Sequence, residues 1–444
     1  RRVPNRWKES HTVLLYKKGD PHVVANYRPI ALAMTTYKLY TSMLCTVLTD
    51  HCEALEVLQE GQEGFRRDRS TSRQLRVLLG ALEDSKLLKR DIAVLYVDFV
   101  NAFGSVDHVR LFDTLRLVGV PDDMVEVIRD LYTGSCTRFM TPHGLTGKVE
   151  FQGRGTIQGD TLSPLVFILC IEPLLRWLEV GGLGYQMGTS DVQVAGLAYA
   201  DDLALLTGTV GAMAGQVRKL VAFCEWSGMQ VNISGMDKTA GSAQFYNDGR
   251  VSRVQWERLG MGPERPWIHG RDGWERREIG RREIPKLPPT GTYPYLGVRI
   301  SVRLGWGKQL RQVTRKVRSK GKLISGSEAT VGQRLRMVQM VLRPAVRYAL
   351  GLVPYGADRL GRLDGALLQA GKHSVGLGTT TVSVMVAASR DAWGVGLGTV
   401  VLDEADTIVH MMEADMVDKG RLGRVVRGLL AHHRRWGSGG DWGA

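Results

Sequence analysis

Three short apolar runs predict a small β-sheet near the middle of the chain. The run 92–97 (Ile-Ala-Val-Leu-Tyr-Val) is rich in β-branched residues and is followed by Asp98, which is typical of a buried strand that carries a carboxylate to the edge of a sheet. Two further runs, 196–198 and 203–206, flank the stretch 199–202 (Tyr-Ala-Asp-Asp). This pattern predicts a β-hairpin with two acids at its turn.

Apolar positions at helical spacing predict the helices around this sheet. A glycine-rich loop over 153–159 leads into an apolar segment, 165–178, that predicts a buried helix with Ser163 as N-cap and Pro164 in the first turn. Other helices are predicted near 35–52 and 72–90, as a pair within 108–132 broken at 119–121, and near 308–322, 360–372 and 408–430.

The paired aspartates are the strongest chemical signal in the chain. Adjacent carboxylates repel each other unless a cation lies between them, and a pair of divalent ions is one such partner. Asp98 adds a third carboxylate, and Asp98 with Asp201 makes a sensible ligand pair for a hard cation. The alternatives to a metal site are simpler. Asp201 and Asp202 could serve only to form the turn, and Asp98 could be a helix cap or a loop residue. Asp107 is better interpreted as the cap of the helix that follows it.

The loop before the buried helix is a second candidate site. Its small residues surround Gln158, so a nucleotide or base pair could approach the backbone closely. A plain turn in front of a core helix is the alternative interpretation.

The ordered set of motifs resembles the reverse transcriptases of non-LTR (LINE-type) retrotransposons. Residues 98–103 resemble motif A of that family, 158–164 motif B and 199–202 motif C. The remaining motifs are matched at 26–32 and 64–71 (fingers), 226–239 (motif D) and 293–298 (motif E). The resemblance covers about residues 12–300, with the motifs in the family's order.

The resemblance implies catalytic roles for individual residues of these motifs. Asp98, Asp201 and Asp202 would hold two Mg²⁺ ions, with Mn²⁺ as a substitute, at which the primer 3′-hydroxyl attacks and pyrophosphate leaves. Lys238 would act as the general acid for pyrophosphate. Phe103 would exclude a 2′-hydroxyl and so favour dNTP over NTP.

The resemblance also implies the groups that hold the substrate. Gln158 and Gly159 would position the incoming base pair. Arg66, with Arg28 and Arg69 as further candidates, would clamp the triphosphate, because a guanidinium can bind two oxygens at once.

Three positions depart from the family's pattern. Gly104 replaces a second aspartate that many relatives carry after the aromatic residue, and Asn101 replaces a common Lys. The spacing from Asn232 to Lys238 is also longer than usual for motif D. None of these departures removes a carboxylate of the expected metal site.

The charge of the chain suits a polyanionic partner. The formal net charge is +14 and the sequence pI is near 9.6. Segment 250–347 holds 23 Lys plus Arg and 7 Asp plus Glu, a balance of +16. Within 308–322, Leu310, Val313 and Val317 recur at helical spacing beneath a basic surface. The thumb of the family begins at this segment, so we expect Arg311, Arg315 and Arg318 to bind nucleic acid.

The basic insertion at about 249–290 separates motifs D and E more widely than is usual in the family. Trp256, Trp267 and Trp274 lie among its arginines and could stack on unpaired bases. A partly disordered, solvated loop is the alternative, and the Arg, Gly and Pro content favours it.

The expected fold class is α+β, a right-hand polymerase with fingers, palm and thumb and a β-α-β-β-α-β-type palm that carries the catalytic aspartates. We expect residues 1–90 to form the N-terminal part of the fingers and 301–350 the thumb. The palm would span 91–300, with finger elements over 108–150, and 351–444 would form a C-terminal helical region without an assigned role.

The expected function is RNA-directed DNA synthesis, with an RNA template, a DNA primer or target and dNTPs as partners. A group II intron-type maturase reverse transcriptase, which shares the Tyr-Ala-Asp-Asp turn, is one alternative. A catalytically inactive or domesticated RNA-binding relic is the other, although the intact acids and Gln158 argue against it.

The cysteine pattern and the hydropathy of the chain limit the cellular environments in which it is expected. The five cysteines form no CxxC pair or zinc-knuckle spacing, which favours a reduced, intracellular environment, nuclear for a retrotransposon polymerase. No apolar run is long enough for a transmembrane helix. The chain starts without Met, inside a finger motif, which suggests a fragment of a larger protein.

Overall fold

The computed structural model describes residues 2–246, 249–261, 267–270, 273–276, 282–389 and 396–436. The strands of this part are β1 (Glu9–Tyr16), β2 (Tyr27–Ala33), β3 (Ile92–Val97), β4 (Cys136–Thr141), β5 (Gly144–Leu145), β6 (Val149–Glu150), β7 (Tyr185–Gln186), β8 (Gln193–Val194), β9 (Gly196–Tyr199), β10 (Asp202–Thr207), β11 (Ala240–Gln244), β12 (Gly260–Met261), β13 (Trp267–Gly270), β14 (Gly273–Arg276), β15 (Arg282–Glu283), β16 (Lys286–Leu287), β17 (Tyr293–Tyr295) and β18 (Val298–Ile300). The helices are α1 (Thr35–Ala54), α2 (Thr71–Leu88), α3 (Ala102–Ser105), α4 (His108–Leu117), α5 (Asp122–Tyr132), α6 (Ser163–Glu179), α7 (Val210–Ser227), α8 (Gly249–Glu257), α9 (Gly307–Ser325), α10 (Val331–Met337), α11 (Arg343–Arg347), α12 (Ala357–Ser374), α13 (Ser383–Ala387), α14 (Val400–Val417) and α15 (Arg421–Trp436).

A five-stranded sheet in the order β16-β11-β3-β10-β9 forms the centre of the protein. Strand β3 leads through α6 to the hairpin β9–β10, and α7 then leads to β11, which pairs antiparallel with β3. This is the predicted β-α-β-β-α-β palm of an α+β polymerase fold, and the prediction is confirmed.

Every residue of β3 is buried, because the sheet has a hydrophobic core on each face. Ala93, Leu95 and Val97 belong to the core that includes α6 and α7. The alternate residues of β3 belong to a second core that includes α2, the motif E strands and the C-terminal helices. A strand with two covered faces shows a continuous apolar run instead of alternation, which explains the pattern in the sequence.

The register of β3 against β10 determines where the acids meet. Leu203 lies opposite Val97, and Asp202 pairs with Tyr199 across the hairpin. Continuing the antiparallel register by one residue brings Asp98 opposite Asp202 at the same end of the sheet. The three carboxylates therefore lie at the same end of two adjacent strands, β3 and β10.

Helix α6 packs beneath this sheet and is nearly all buried. Pro164 lies in its first turn, as predicted, where a missing N–H costs nothing. The prediction that Ser163 caps the helix is wrong: the N-cap is Leu162, and Ser163 lies inside the helix and is buried.

The elements predicted to form the fingers precede the central sheet and also lie between its strands β3 and β9. Strand β1 pairs antiparallel with β2 and parallel with β4, which lies more than a hundred residues later. The predicted helices near 35–52 and 72–90 are α1 and α2. The predicted pair within 108–132 is α4 and α5, and Asp107 accepts hydrogen bonds from the N–H groups of Val109 (3.0 Å) and Arg110 (3.2 Å), as expected of a cap.

The C-terminal helices pack against α9 and α2. Helix α9 packs on α12, and α15 packs on α2. The single helix predicted near 408–430 is wrong, because the chain breaks into α14 and α15. Asp418 lies at this break and accepts hydrogen bonds from the N–H groups of Gly420 (2.8 Å) and Gly423 (3.2 Å), which start the second helix.

The basic insertion is only partly within the described residues. Helix α8 lies in it, and Trp256 is buried against Phe245 with ring centroids 6.5 Å apart. The suggestion that Trp256 stacks on bases is therefore wrong, because its indole is part of the core. The side chains of Trp267 and Trp274 lie outside the described residues, as do 262–266, 271–272 and 277–281.

Candidate active site

The acids lie where the sheet ends. Asp201 lies in the turn between β9 and β10, Asp202 is the first residue of β10, and Ala200 before them has a φ of 55°. Asp98 follows β3, and its backbone is held from both sides. Its N–H donates to Thr239 Oγ1 (3.0 Å), and its carbonyl accepts from the N–H of Asn232 (2.7 Å).

Two of the three carboxylates, those of Asp201 and Asp202, have raised pKa values. Burial, and then the charge of Asp98, raises the pKa of Asp201. Partial desolvation by the surrounding protein, and then the charges of Asp201 and Asp98, raises the pKa of Asp202 to about 6. Because like charges on neighbouring acids contribute to both shifts, a bound cation would stabilise the ionised carboxylates at this end of the sheet.

The cations nearest to the acids come from different elements. Lys238 Nζ lies 3.4 Å from Asp98 Oδ2, and its charge opposes the rise in the pKa of Asp202. Arg28 and Lys17 oppose the rise in the pKa of Asp201. Lys17 directly follows β1, and no pattern in the sequence places it beside the hairpin.

Lys238 reaches the site despite the longer spacing of motif D. The carbonyl of Asn232 accepts from the N–H of Thr239 at 2.9 Å, so the additional residues form a closed loop between the two. The extra length therefore leaves Lys238 beside Asp98.

Phe103 lies in the short helix α3, close to the acids. Its ring stacks on Phe167 of α6, with centroids 4.3 Å apart and planes 19° apart. Phe65 lies in the loop between α1 and α2, residues 55–70, which we call the finger loop. Its ring meets that of Phe103 edge-on, with centroids 6.4 Å apart, and also lies 6.5 Å from the ring of Tyr199. Phe65 is 49% exposed, and the resemblance to the family implied no role for it.

The loop of Gln158 and Gly159 packs closely on β2. The carbonyl of Gln158 accepts from the N–H of Ala31 at 2.6 Å. A Cβ on Gly159, whose φ is 113°, would lie 2.5 Å from the carbonyl oxygen of Ala31, so only glycine fits. Asp160 is buried next to them and accepts from Thr41 Oγ1 at 2.5 Å.

The three candidate arginines lie in different environments. Arg66 is committed to the protein: its Nε and Nη2 bind both oxygens of Glu53 at 2.9 and 2.7 Å, and its Nη1 donates to backbone carbonyls. Its prediction as a triphosphate clamp is corrected, because all its donors have partners away from the acids. Arg69 pairs with Glu63 at 2.9 Å. Only Arg28 is both exposed and close to Asp201.

The tyrosines of motif E support the hairpin from beneath. The Tyr295 hydroxyl donates to the carbonyls of Asp202 (3.3 Å) and Leu197 (3.4 Å). Tyr293 stacks on Tyr96 of β3 with centroids 4.2 Å apart, and its hydroxyl donates to the carbonyl of Lys238. The motif is visible in the sequence, but these contacts depend on the fold.

Residues 16–299 match the family model described as "Reverse transcriptase (RNA-dependent DNA polymerase)". The chain belongs to this family. The match covers more than half of the chain and includes both strands that carry the acids.

Curated relatives of this reverse transcriptase come from non-LTR elements, which confirms the predicted kinship. A Pol polyprotein of the retrotransposable element R2 from Nasonia vitripennis is 24% identical over 70% of this chain and 28% of its own length. The RNA-directed DNA polymerase of the mobile element jockey from Drosophila melanogaster is 24% identical over 80% of this chain and 36% of its own length. The chain thus spans about a third of the length of these relatives.

Among solved structures, a telomerase from Candida tropicalis in complex with a fragment of telomeric RNA aligns with 97% of this chain and 65% of its own. The sequence identity is 11% and the TM-score is 0.43, which is too low to support an argument.

Reverse transcriptases generally use divalent metal ions. No group of three or more His, Cys, Asp or Glu side chains within the described residues is arranged to hold a metal ion. The donor chemistry still fits, since Mg²⁺ usually binds one or two carboxylates and completes its shell with water and substrate phosphates. Asp98 and one acid of the turn supply such a pair.

Helix α9 of this reverse transcriptase presents a basic stripe. Leu310, Val313 and Val317 are buried beneath it, as predicted. The exposed basic residues recur at three- and four-residue spacing along one face, namely Lys308, Arg311, Arg315, Arg318 and Lys322. The helix contains no acidic residue that would neutralise the stripe.

No helix of the described residues combines the length and the apolar character that a membrane crossing requires.

Proposed function

We propose that this chain catalyses RNA-templated DNA synthesis, adding dNTPs to a primer 3′-hydroxyl. The observation that carries the proposal is the meeting of Asp98 with Asp201 and Asp202 on adjacent strands of a reverse transcriptase palm. Two Mg²⁺ ions bound there would supply an activated 3′-oxygen and charge stabilisation for the leaving pyrophosphate. Mn²⁺ would substitute for Mg²⁺.

The other residues around the acids support the proposal. Phe103, held against Phe167, would exclude the 2′-hydroxyl of an NTP. Lys238, beside Asp98, would give a proton to pyrophosphate. Arg28 and Lys17 carry positive charge near Asp201, which suits them to the triphosphate.

The nucleic acid would lie along two further surfaces. The loop at Gln158 and Gly159 is held against β2, which would fix the position of the incoming base pair. The stripe that includes Arg311, Arg315 and Arg318 would hold the phosphates of the primer and the template. An RNA template and a DNA primer or target, met in the nucleus, are the partners this chemistry requires.

Primer extension on an RNA template tests the proposal directly. Wild-type protein with Mg²⁺ and dNTPs should extend the primer, and the same reaction with NTPs alone should not. The double variant Asp201→Ala, Asp202→Ala should bind the template normally but extend nothing. Template binding by the wild type without any extension would contradict the proposal and would support an RNA-binding relic.

A further inference from the structure

Gln62 is a fully buried polar side chain in contact with the catalytic turn. Its Oε1 accepts a hydrogen bond from the N–H of Ala200 at 3.0 Å and another from the N–H of Gly64 at 2.8 Å. Ala200 directly precedes Asp201. One side-chain oxygen therefore links the finger loop to the backbone that carries two of the three acids.

The turn needs such support because of its backbone conformation. Ala200 has a φ of 55°, in the left-handed region that residues other than glycine rarely adopt. A strained conformation of this kind persists only where the surroundings hold it. The N–H of Ala200 donates to Gln62, so this hydrogen bond stabilises the left-handed residue directly.

The main chain of the finger loop lies directly along β9. The N–H of Ala198 donates to the carbonyl of Gly61 (2.7 Å), and the N–H of Glu63 donates to the carbonyl of Ala198 (2.9 Å). A Cβ on Gly64 would lie 2.4 Å from the backbone nitrogen of Ala200, so the approach requires glycine. Gln62 thus reaches the turn from a backbone that is itself fixed against the hairpin.

Ion pairs hold the same loop from its other side. Glu63 is buried and pairs with Arg69 at 2.9 Å and with Arg73 at 3.2 Å. Arg73 also pairs with Asp418, at the break between α14 and α15, at 2.8 Å. The loop is therefore fixed between the C-terminal helices and the catalytic hairpin.

The acceptor of Gln62 is the part of the amide that the structure uses. Both neighbours, Ala200 and Gly64, are N–H donors, so the oxygen must face them. Within the part of the chain that the structure describes, the Nε2 of Gln62 is buried without a hydrogen-bond partner. The side-chain oxygen of Gln62 thus accepts two hydrogen bonds while its side-chain nitrogen makes none. This imbalance indicates that the amide serves mainly to accept hydrogen bonds from the backbone of the turn and of the finger loop.

We propose that Gln62 is a positioning residue for polymerisation, whose side-chain oxygen fixes the turn at Ala200 so that Asp201 and Asp202 face Asp98. Gln62 contacts the backbone of the turn only and acts through it. The inference rests on the proposed function for its catalytic consequence. Its structural consequence, a looser turn when the acceptor is lost, can be measured separately.

The kinetic test compares three variants in primer extension. Gln62→Met keeps the length of the side chain but removes the acceptor, and Gln62→Glu keeps an acceptor. Gln216→Met is the matched control, since Gln216 is equally buried on α7 and donates to the carbonyl of Leu178 (3.2 Å) instead of the turn. Gln62→Met should lower kcat by about 100-fold, the scale of a misplaced catalytic group. The KM for dNTP should stay within about threefold.

The pattern among the variants separates positioning from general destabilisation. Gln62→Glu should recover a large part of kcat, and Gln216→Met should retain wild-type kcat per folded molecule. A Gln62→Met protein with wild-type kcat, or an equal loss in Gln216→Met, would overturn the proposal.

Hydrogen exchange gives a readout that does not depend on activity. In Gln62→Met, exchange of the Ala200 amide should be faster by about tenfold, the factor expected for one lost hydrogen bond. Exchange within β3 should not change. If the wild type makes no DNA but Ala200 still responds in this way, the proposed function fails, whereas the structural role of Gln62 in holding the turn stands.

Gln62→Asn, which is shorter by one methylene, replaces Gln62→Met in both measurements if the Met variant does not fold. Unchanged exchange at Ala200 in a folded variant would overturn the inference.

Discussion

Lys238 Nζ lies 3.4 Å from Asp98 Oδ2, and the two residues come from separate motifs 140 positions apart. If Lys238 is a general acid, Lys238→Ala should lower kcat by about 100-fold or more. Lys238→Arg should not restore it, because a guanidinium keeps its proton. Single-turnover extension with saturating dNTP measures the effect.

The matched control for Lys238 is Lys18, which lies at the same distance, 3.4 Å, from Asp237 but is 77% exposed. Lys18→Ala should leave kcat unchanged. Full activity in Lys238→Arg would show that only the positive charge matters and would remove the acid role.

The raised pKa of Asp202 predicts how pH and metal concentration interact. A divalent ion binds the carboxylate form, so synthesis should fall as the pH drops through about 6. More Mg²⁺ should move this acid limb to lower pH, because metal and proton compete. Rate profiles at two Mg²⁺ concentrations measure the shift, and superimposable profiles would contradict the competition.

The same pKa has a consequence for stability without added metal. The folded pKa of Asp202 lies above its ordinary value of 3.8, so the folded state binds more protons between those two values. The contribution of Asp202 to the free energy of unfolding should therefore fall as the pH rises through about 6. Urea unfolding measures this across the pH range. The free energy of unfolding of the wild type, relative to that of Asp202→Asn, should decrease as the pH rises.

Phe103 should govern the choice between dNTP and NTP. Phe103→Val shortens the side chain that stacks on Phe167, so incorporation of NTP relative to dNTP should rise by at least about tenfold. Phe103→Tyr keeps the ring and should keep the wild-type selectivity. Competition between the two nucleotides in primer extension measures the ratio, and unchanged selectivity in Phe103→Val would reject the assignment.

Arg66 should matter for stability, and Arg28 for the substrate. The Arg66 side chain is 6% exposed and binds Glu53 through two hydrogen bonds, so Arg66→Ala should cost about 3 kcal/mol of unfolding free energy. Arg67→Ala is the control, because its pair with Asp50 is exposed and should contribute less than about 1 kcal/mol.

Arg28→Ala should leave the unfolding free energy nearly unchanged, because Arg28 is exposed, and should raise the KM for dNTP. Urea unfolding and steady-state extension separate the two roles. A higher KM in Arg67→Ala than in Arg28→Ala would contradict this assignment.

The basic stripe of α9 should determine the salt dependence of binding. Replacing Arg311, Arg315 and Arg318 by Ala should reduce the slope of log K against log salt by about 2 to 3, since each lost phosphate contact removes roughly 0.7 to 0.9. Lys316→Ala is the control, because Lys316 is exposed on the same helix but lies off the stripe. Fluorescence anisotropy with a primer–template duplex measures both slopes, and equal slopes would reject the interface.

Local pattern alone was sufficient for β3, for the hairpin that carries the acids and for several of the helices. The apolar run of β3 predicted a buried strand, and the run interrupted by Asp201 and Asp202 predicted the hairpin, because side-chain periodicity follows directly from backbone geometry. Motif order then identified the family. The cap of α6 and the single helix near 408–430 were wrong, since element ends depend on tertiary hydrogen bonds such as those of Asp418.

Which charged or polar side chains serve the site was decided only by the tertiary structure. Arg66 belongs to the same motif as Phe65, yet folding pairs it with Glu53 and leaves Arg28 near Asp201. Gln62 has no catalytic signature in the sequence, and its contact with Ala200 spans 138 residues. The chain itself thus determines which chemistry is present and on which strands it lies. Packing determines which donors are already satisfied by the protein and which remain for a substrate, because a hydrogen bond depends on distance and not on sequence.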